Sequence, residues 1–216
     1  MSESTTNYPC GKIYDDVEQG TDAWLKLRCG CITGSKITEV MQEKKGTGYA
    51  NYMAQLVCER LTGCVTETYK NAYMDRGNED EPAARDCYSF ITGNDVQQVS
   101  FIKHPSIECF GVSPDGLIGN DGMVEIKRKI PAIHIDYIFK NRIPPEYVKQ
   151  MTAQLACSGR EWNEFVSYCP ELPENMQLFI CRMHRDNDAI AEMEKRVIEF
   201  DSAVEKMISE LKDLRP

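Results

Sequence analysis

Ser113-Pro114-Asp115-Gly116 and, a few residues on, Met123-Val124-Glu125-Ile126-Lys127 are the residues of this 216-residue chain best suited to chemistry. Side chains at i and i+2 of an extended strand point the same way, so Glu125 and Lys127 share one face while Val124 and Ile126 turn to a core. A strand pair joined through Leu117 to Gly122 would bring Asp115 beside them. The expected result is a pair of carboxylates and an ammonium within a few ångströms, on a solvent-lined face. Carboxylate oxygens with room for water are what a hard cation such as Mg²⁺ accepts. A lysine beside that cation can orient or deprotonate an attacking water, so the constellation reads as a site for metal-assisted hydrolysis. The same residues also fit a surface hairpin with a cross-strand salt bridge and a Pro-Asp-Gly turn. The apolar alternation through Glu125 and Lys127 and the Arg128-Lys129 pair after them favour the metal site.

The flanking periodicities say what must hold this constellation. Residues to about Gly20 are polar and read as an extended arm. Thr21 to Leu27 reads as a short helix ending near Arg28, and Thr33-Gly34-Ser35 makes Ser35 a cap or first-turn residue of the next. Tyr49 to Leu61 is a helix closed by Gly63, and Asn78 to Ile91 another with Pro82 in or near its first turn. Val96 to His104, Cys109 to Val112, Met123 to Lys129, Trp162 to Tyr168 and Leu178 to Met183 read as strands. Pro144-Pro145 opens a helix that runs to Gly159. Ile190, Met193, Val197, Phe200, Val204, Met207 and Leu211 step by threes and fours along a long amphipathic helix. That stripe is expected to pack on the chain's own sheet rather than to form a coiled-coil seam between subunits. The expected fold is α/β, a central mixed β-sheet flanked by helices. Residues 1–216 form a single domain, with the arm at 1–20 and the C-terminal helix within 186–216.

Composition excludes several classes. Hydrophobic residues make up 42% and charged residues 27%, too apolar for a disordered chain. Uninterrupted apolar runs are a few residues long, against about 20 for a membrane span. The N-terminus has neither a basic start nor an apolar stretch, so the chain is expected to stay in the compartment where it is made. Its ten cysteines, scattered from Cys10 to Cys181, are then expected to be reduced and mostly buried as small apolar residues. Cys29-Gly30-Cys31 spans a turn, Cys157, Cys169 and Cys181 are widely spaced, and His104, His134 and His184 lack mutual ligand spacing, which argues against zinc or iron–sulfur sites. A net charge of −9 argues against a generic nucleic-acid coat. Between Asn120 and Arg160, however, the chain carries +3 and elsewhere −12, so this segment is where an anion is expected.

Read in order, the motifs form a recognisable series. Glu18-Gln19-Gly20 and Asp22-Ala23-Trp24 lead into Leu27-Arg28-Cys29-Gly30-Cys31-Ile32-Thr33-Gly34-Ser35. Arg76-Gly77 and Glu81-Pro82-Ala83-Ala84-Arg85 follow, then Ser113-Pro114-Asp115-Gly116, Glu125-Ile126-Lys127, and Tyr147 with Gln150 and Gln154. In order and spacing this series resembles the lambda-exonuclease-type alkaline exonucleases of phage recombination systems, members of the PD-(D/E)xK nuclease superfamily, from about Gln19 to Asp186.

The resemblance implies a restriction-endonuclease-like core and a Mg²⁺-dependent 5′-to-3′ exonuclease. Such an enzyme acts on double-stranded DNA ends, releases 5′-mononucleotides and leaves 3′ single strands for recombination by strand annealing. It implies Asp115, Glu125 and the carbonyl of Ile126 as ligands of two ions per site, with Mn²⁺ as a possible substitute. It implies Lys127 as the catalytic lysine, Glu81 as a carboxylate near the metals and Gln150 as a polar residue of the active-site motif. Arg28, Ser35 and Ser113 would hold the terminal 5′-phosphate, although Arg28 also suits a helix C-cap and Ser35 an N-cap. It further implies a homotrimeric ring, a single-strand annealing protein as partner and the cytoplasm of a phage-bearing bacterial cell. Two departures stand out. Arg128-Lys129-Ile130-Pro131 replaces the Cys-Pro that follows the lysine in many relatives, and a further basic phosphate contact has His134 and Lys129 as candidates. Glu79, close to Glu81, is a second candidate for the helix carboxylate. A structure- or sequence-specific endonuclease and a catalytically silent DNA-end-binding subunit are the alternatives.

Overall fold

A computed structural model describes residues 8–44, 46–66 and 72–214, residues 72–79 by their backbone. After strand β1 (Ile13–Tyr14), the Thr21 hydroxyl accepts from Trp24 N at 3.3 Å and so opens α1 (Asp22–Arg28). Strand β2 (Ile32–Thr33) passes through a 3₁₀ turn, Gly34–Lys36, into the short helix α2 (Ile37–Val40). Helix α3 (Thr47–Thr62) ends at Gly63, whose φ of 68° is the left-handed cap that glycine takes without strain. Helix α4 (Ala72–Thr92) precedes β3 (Val96–Gln97), β4 (Phe101–Lys103) and β5 (Phe110–Val112). The hairpin β6 (Gly116–Ile118) and β7 (Gly122–Arg128) leads to α5 (Pro131–Lys140) and α6 (Pro145–Ser158). Strands β8 (Trp162–Tyr168) and β9 (Leu178–His184) and helix α7 (Asn187–Asp213) complete the chain.

The mixed α/β architecture is as expected, but the strands divide between two sheets. One has the order β1-β4-β5-β2 and the other β3-β6-β7-β8-β9. Strand β7 pairs antiparallel with β6 and parallel with β8, Glu125 lying opposite Phe165. Its Val124 and Ile126 pack with Ala84 and Tyr88 of α4, as alternation predicts. The opposite face, which carries Glu125, is covered by α5 and α6. Arg160 fastens the hairpin from below, its Nη1 donating to the carbonyls of Ile118, Gly119 and Gly122 at 3.2, 2.9 and 2.7 Å.

Several expectations are corrected. Val96 to His104 is two strands, one in each sheet, rather than one. Pro82 lies inside α4 and not in its first turn. A proline removes one helical donor, and here the turns beyond it are held by the buried Ala84 and Tyr88. Helix α5 is absent from the elements that periodicity predicts. The stripe of α7 packs on α3, α6 and α2 rather than on a sheet, with Tyr49 meeting Phe200 edge-on at 4.7 Å. It ends in buried Ile208, while Met207 and Leu211 are exposed. All ten cysteines are free thiols, but of these Cys31, Cys157 and Cys169 are the buried ones.

Candidate active site

The β6–β7 hairpin converges the three residues the sequence singled out. Gly116 starts β6 opposite Val124, so Asp115 stands just before the strand, where its Oδ2 accepts from Ile126 N at 2.6 Å. Lys127 Nζ lies 2.5 Å from Glu125 Oε1 and 3.9 Å from Asp115 Oδ2. Glu125 is fully buried, not on a solvent-lined face, because α6 lies over it. Gln150 and Gln154, one helical turn apart on α6, hold its oxygens: Gln150 Nε2 donates to Oε1 at 2.6 Å, and Gln154 Nε2 donates to Oε2. Access comes from the Lys127 side, whose side chain is 28% exposed.

Electrostatics follow from that crowding. Burial, reinforced by Glu125 and more weakly by Glu81, holds the Asp115 carboxyl well above its usual range, against the pull of Lys127 and the Ile126 N–H. Burial also works against the Lys127 charge, but Glu125 and Asp115 outweigh it and raise the ammonium above the ordinary lysine value. Two like charges forced together beside one cation are a place where a divalent ion would be welcome. The donors suit a hard one. The N–H and C=O of a strand residue point to the same side, so the Ile126 carbonyl faces the side where β6 has ended, next to Asp115. No group of three or more His, Cys, Asp or Glu side chains placed to hold a metal occurs among the described residues. Glu81 is turned to Arg85, its Oε1 accepting from Nη2 at 2.6 Å, so a cation would draw on Asp115, Glu125 and that carbonyl.

Arg28, Ser35 and Glu81 line one cavity of about 940 Å³. Asp115, Glu125 and Lys127 are not in its wall; Glu81 links the two, being near enough to Asp115 to act on its charge. Arg28 lies over the Trp24 ring at 3.9 Å and has no carboxylate partner among the described residues. Burial lowers its pKa to about 10, which leaves it cationic at neutral pH. Trp24 Nε1 in turn donates to Ser113 Oγ at 3.1 Å, and Gln19 Nε2 donates to the carbonyl of Pro114 at 3.0 Å. Ser35 sits in the 3₁₀ turn, its Oγ 3.4 Å from Thr33 Oγ1. Asp15, Asp16, Glu18 and Glu59 also line the cavity, and Lys36 and Arg85 pair with Glu39 and Glu81, so among the described residues Arg28 is the lining cation without a carboxylate partner.

Other candidates fare differently. His134 is excluded as a phosphate contact, because it is buried with Nδ1 2.7 Å from Ser167 Oγ and Nε2 2.9 Å from the Met176 carbonyl, leaving no free ring nitrogen. Lys129 stays available, its Nζ donating to Tyr147 Oη at 2.5 Å. In the basic segment Arg160 is spent on carbonyls, Arg128 pairs with Asp80 and Glu171, and Lys140 pairs with Asp136. Lys129, Arg142 and Lys149 are left without carboxylate partners among the described residues. Arg76, Gly77 and Glu79 fall on α4, but the Arg76 and Glu79 side chains lie outside what the structure describes. Sequence reasoning gave no role to Gln154 or Trp24. The spacing of four between Gln150 and Gln154 was the available signal for the first; nothing local pointed to the second.

Comparison with known proteins bears on most of the chain. Residues 23–161 match the YqaJ-like viral recombinase domain. The structure is similar to that of an alkaline exonuclease, LHK-Exo, from Laribacter hongkongensis, with 45% identity, a TM-score of 0.84 and coverage of 89% of this chain and 97% of that one. The same enzyme in complex with dAMP aligns at 46% identity with equal TM-score and coverage. A phage-related exonuclease from Haemophilus somnus 129PT is 14% identical with a TM-score of 0.70 over 84% of this chain and 96% of that one, a likeness of fold. None of the curated proteins compared matches the chain. The resemblance to lambda-exonuclease-type alkaline exonucleases agrees with these findings.

Proposed function

Because this chain belongs to the YqaJ-like viral recombinase domain family, we propose that it is a metal-dependent 5′-to-3′ exonuclease. It degrades the 5′ strand of double-stranded DNA ends, releases 5′-mononucleotides and leaves 3′ single strands for strand annealing. The observation that carries this reading is the convergence of Asp115, Glu125 and Lys127 at the open end of a hairpin. The 46% identical relative binds dAMP, a deoxynucleoside monophosphate of the kind such cleavage would release.

Asp115, Glu125 and the Ile126 carbonyl would hold Mg²⁺, or Mn²⁺ in its place. Bound there, the metal would polarise the scissile phosphate and make a coordinated water more acidic, a task commonly shared by two ions. The protein supplies the rest. Gln150 and Gln154 fix the Glu125 carboxylate, and the Ile126 N–H fixes one oxygen of Asp115. The Lys127 ammonium donates hydrogen bonds to phosphate oxygen, where negative charge develops, and its raised pKa leaves it no lone pair with which to deprotonate the water. Arg28, steadied on Trp24, grips a terminal phosphate, with Ser35 and Ser113 as further donors. An acidic chain would stay on DNA most readily as a closed homotrimeric ring whose channel presents Lys129, Arg142 and Lys149, holding the duplex by topology as well as charge. A single-strand annealing protein would receive the product. No helix among the described residues is long and apolar enough to cross a membrane.

The phosphate pocket has its own test. A 5′-phosphorylated duplex should be digested faster than the same duplex with a 5′-hydroxyl, and Arg28→Ala should shrink that difference. The guanidinium has no partner on a hydroxyl end, so the phosphorylated substrate alone loses alignment when the arginine goes. Initial rates on both substrates at fixed salt measure this. Equal wild-type rates on the two ends would rule out the pocket. Parallel loss of both rates together with stability would make Arg28 a helix cap.

A further inference from the structure

Holding a buried carboxylate requires its partners to be held in turn. Gln154 is buried, and while its Nε2 donates to Glu125 Oε2, its Oε1 accepts from Asn163 Nδ2 at 2.6 Å. Asn163 is fully buried on β8. Strands β7 and β8 run parallel in register, with Asn163 opposite Met123 and Phe165 opposite Glu125, so Asn163 lies on the same sheet face as Glu125, under α6.

A carboxamide has two ends of nearly equal size and opposite hydrogen-bond sense. Shape alone would let Gln154 present either end to Glu125. With its oxygen toward Glu125, it would set one acceptor against another in a buried site. Glu125, which only accepts, and Asn163 Nδ2, which donates to the oxygen of Gln154, together hold the nitrogen toward the carboxylate, so loss of the Asn163 donor weakens that preference. Asn163 Oδ1 is buried and accepts no hydrogen bond from the described residues. An unpaired buried acceptor destabilises a fold, and an apolar residue of similar size would avoid it. What Asn163 contributes instead is the donor to Gln154.

We propose that Asn163 is a positioning residue for the metal site. Acting through Gln154, it sets the amide orientation that holds Glu125 ready for a divalent cation. The inference rests on the metal-site reading of Asp115 and Glu125.

Calorimetric titration of Mg²⁺ into the full chain tests it, with wild type, Asn163→Asp, Gln154→Met and the double variant compared at one pH, and each variant melted to confirm folding. Asn163→Asp keeps the shape and, at a pH high enough to ionise the new carboxyl, replaces the donor by an acceptor, so Gln154 turns its nitrogen to residue 163 and its oxygen to Glu125. The Mg²⁺ Kd should rise about 10- to 100-fold, the range for partners that orient a metal ligand. Gln154→Met removes the amide and keeps the length, so adding Asn163→Asp to it should weaken Mg²⁺ binding no further. A merely structural asparagine would lower the melting temperature and leave the Kd alone. An unchanged Kd in folded Asn163→Asp, or an equal loss in both backgrounds, would overturn the proposal. Should Asn163→Asp not fold, Asn163→Ala carries the same comparison without burying a charge, and failure of both to fold would assign Asn163 to the fold and overturn the proposal. Wild-type protein that binds no Mg²⁺ would overturn the metal-site reading and this inference with it, an outcome distinct from the others.

Discussion

Asp115→Asn is expected to abolish nuclease turnover, by well over about 100-fold, while making the metal-free protein more stable. The loss exceeds the upper range for removing a partner that only orients a ligand, because the proposed metal site loses one of its own carboxylates. Asparagine keeps an oxygen to accept from Ile126 N–H, so the local hydrogen bond and the hairpin survive. The gain in stability follows from the sign of the pKa shift. The Asp115 carboxyl is held above its usual range by burial and by Glu125, so the folded state binds its proton more tightly than the unfolded chain does. Its contribution to stability is therefore lost as pH rises from about 4 through the raised value, and the penalty is complete once the carboxyl is ionised in both states. Removing the charge removes the penalty. Melting in a chelator should give a higher Tm for Asp115→Asn at neutral pH, an advantage that shrinks as pH falls toward about 4. Activity near wild type would sink the site assignment, and a lower Tm at neutral pH would contradict the account of the buried charges.

Lys127→Met should cut turnover about 100- to 1,000-fold, the usual loss for a group that stabilises developing charge, without weakening Mg²⁺ binding. The ammonium touches Glu125 and approaches Asp115, so in the metal-free protein it occupies the carboxylates a cation would use. Methionine keeps an unbranched, slightly shorter side chain without the charge and removes that competition, and Mg²⁺ affinity should be equal or greater. Single-turnover rates and calorimetry separate the two effects. Loss of Mg²⁺ binding together with activity would make Lys127 a structural prop of the site instead.

What the sequence disclosed and withheld follows physical range. The Asp115–Lys127 hairpin was legible because both the turn and the period-two alternation are local, and Val124 and Ile126 do face α4. That Glu125 is buried was not legible: alternation says which face it takes but not that α6, beginning about twenty residues later, covers that face. Helix α5 escaped notice because it is apolar nearly all round. Ile133, Ile135, Ile138 and Phe139 are exposed while His134 and Tyr137 are the buried pair, so no single stripe marks its period. Strand β4 was merged with β3 because alternation on both sides of Ser100 does not reveal a change of sheet. On α7, steps of three and four repeat every seven residues, whereas a straight helix drifts about 20° per heptad. Over that length the buried line passes from Met207 to Ile208. Arg28 and Ser35 were assigned by resemblance. The stacking on Trp24 that steadies Arg28, and the cavity both residues share, depend on contacts far apart in sequence.

The central claim, that Asp115, Glu125 and Lys127 cut DNA from its ends with a divalent metal, is tested most directly by incubating a linear duplex carrying a 5′ label with the protein in Mg²⁺. Asp115→Asn serves as the control. The account predicts release of the label as a mononucleotide from the earliest times, none in a chelator and none with the variant. A discrete internal fragment would make the protein an endonuclease on the same core, and retention of intact duplex without cleavage would make it an end-binding subunit; either result would contradict the account.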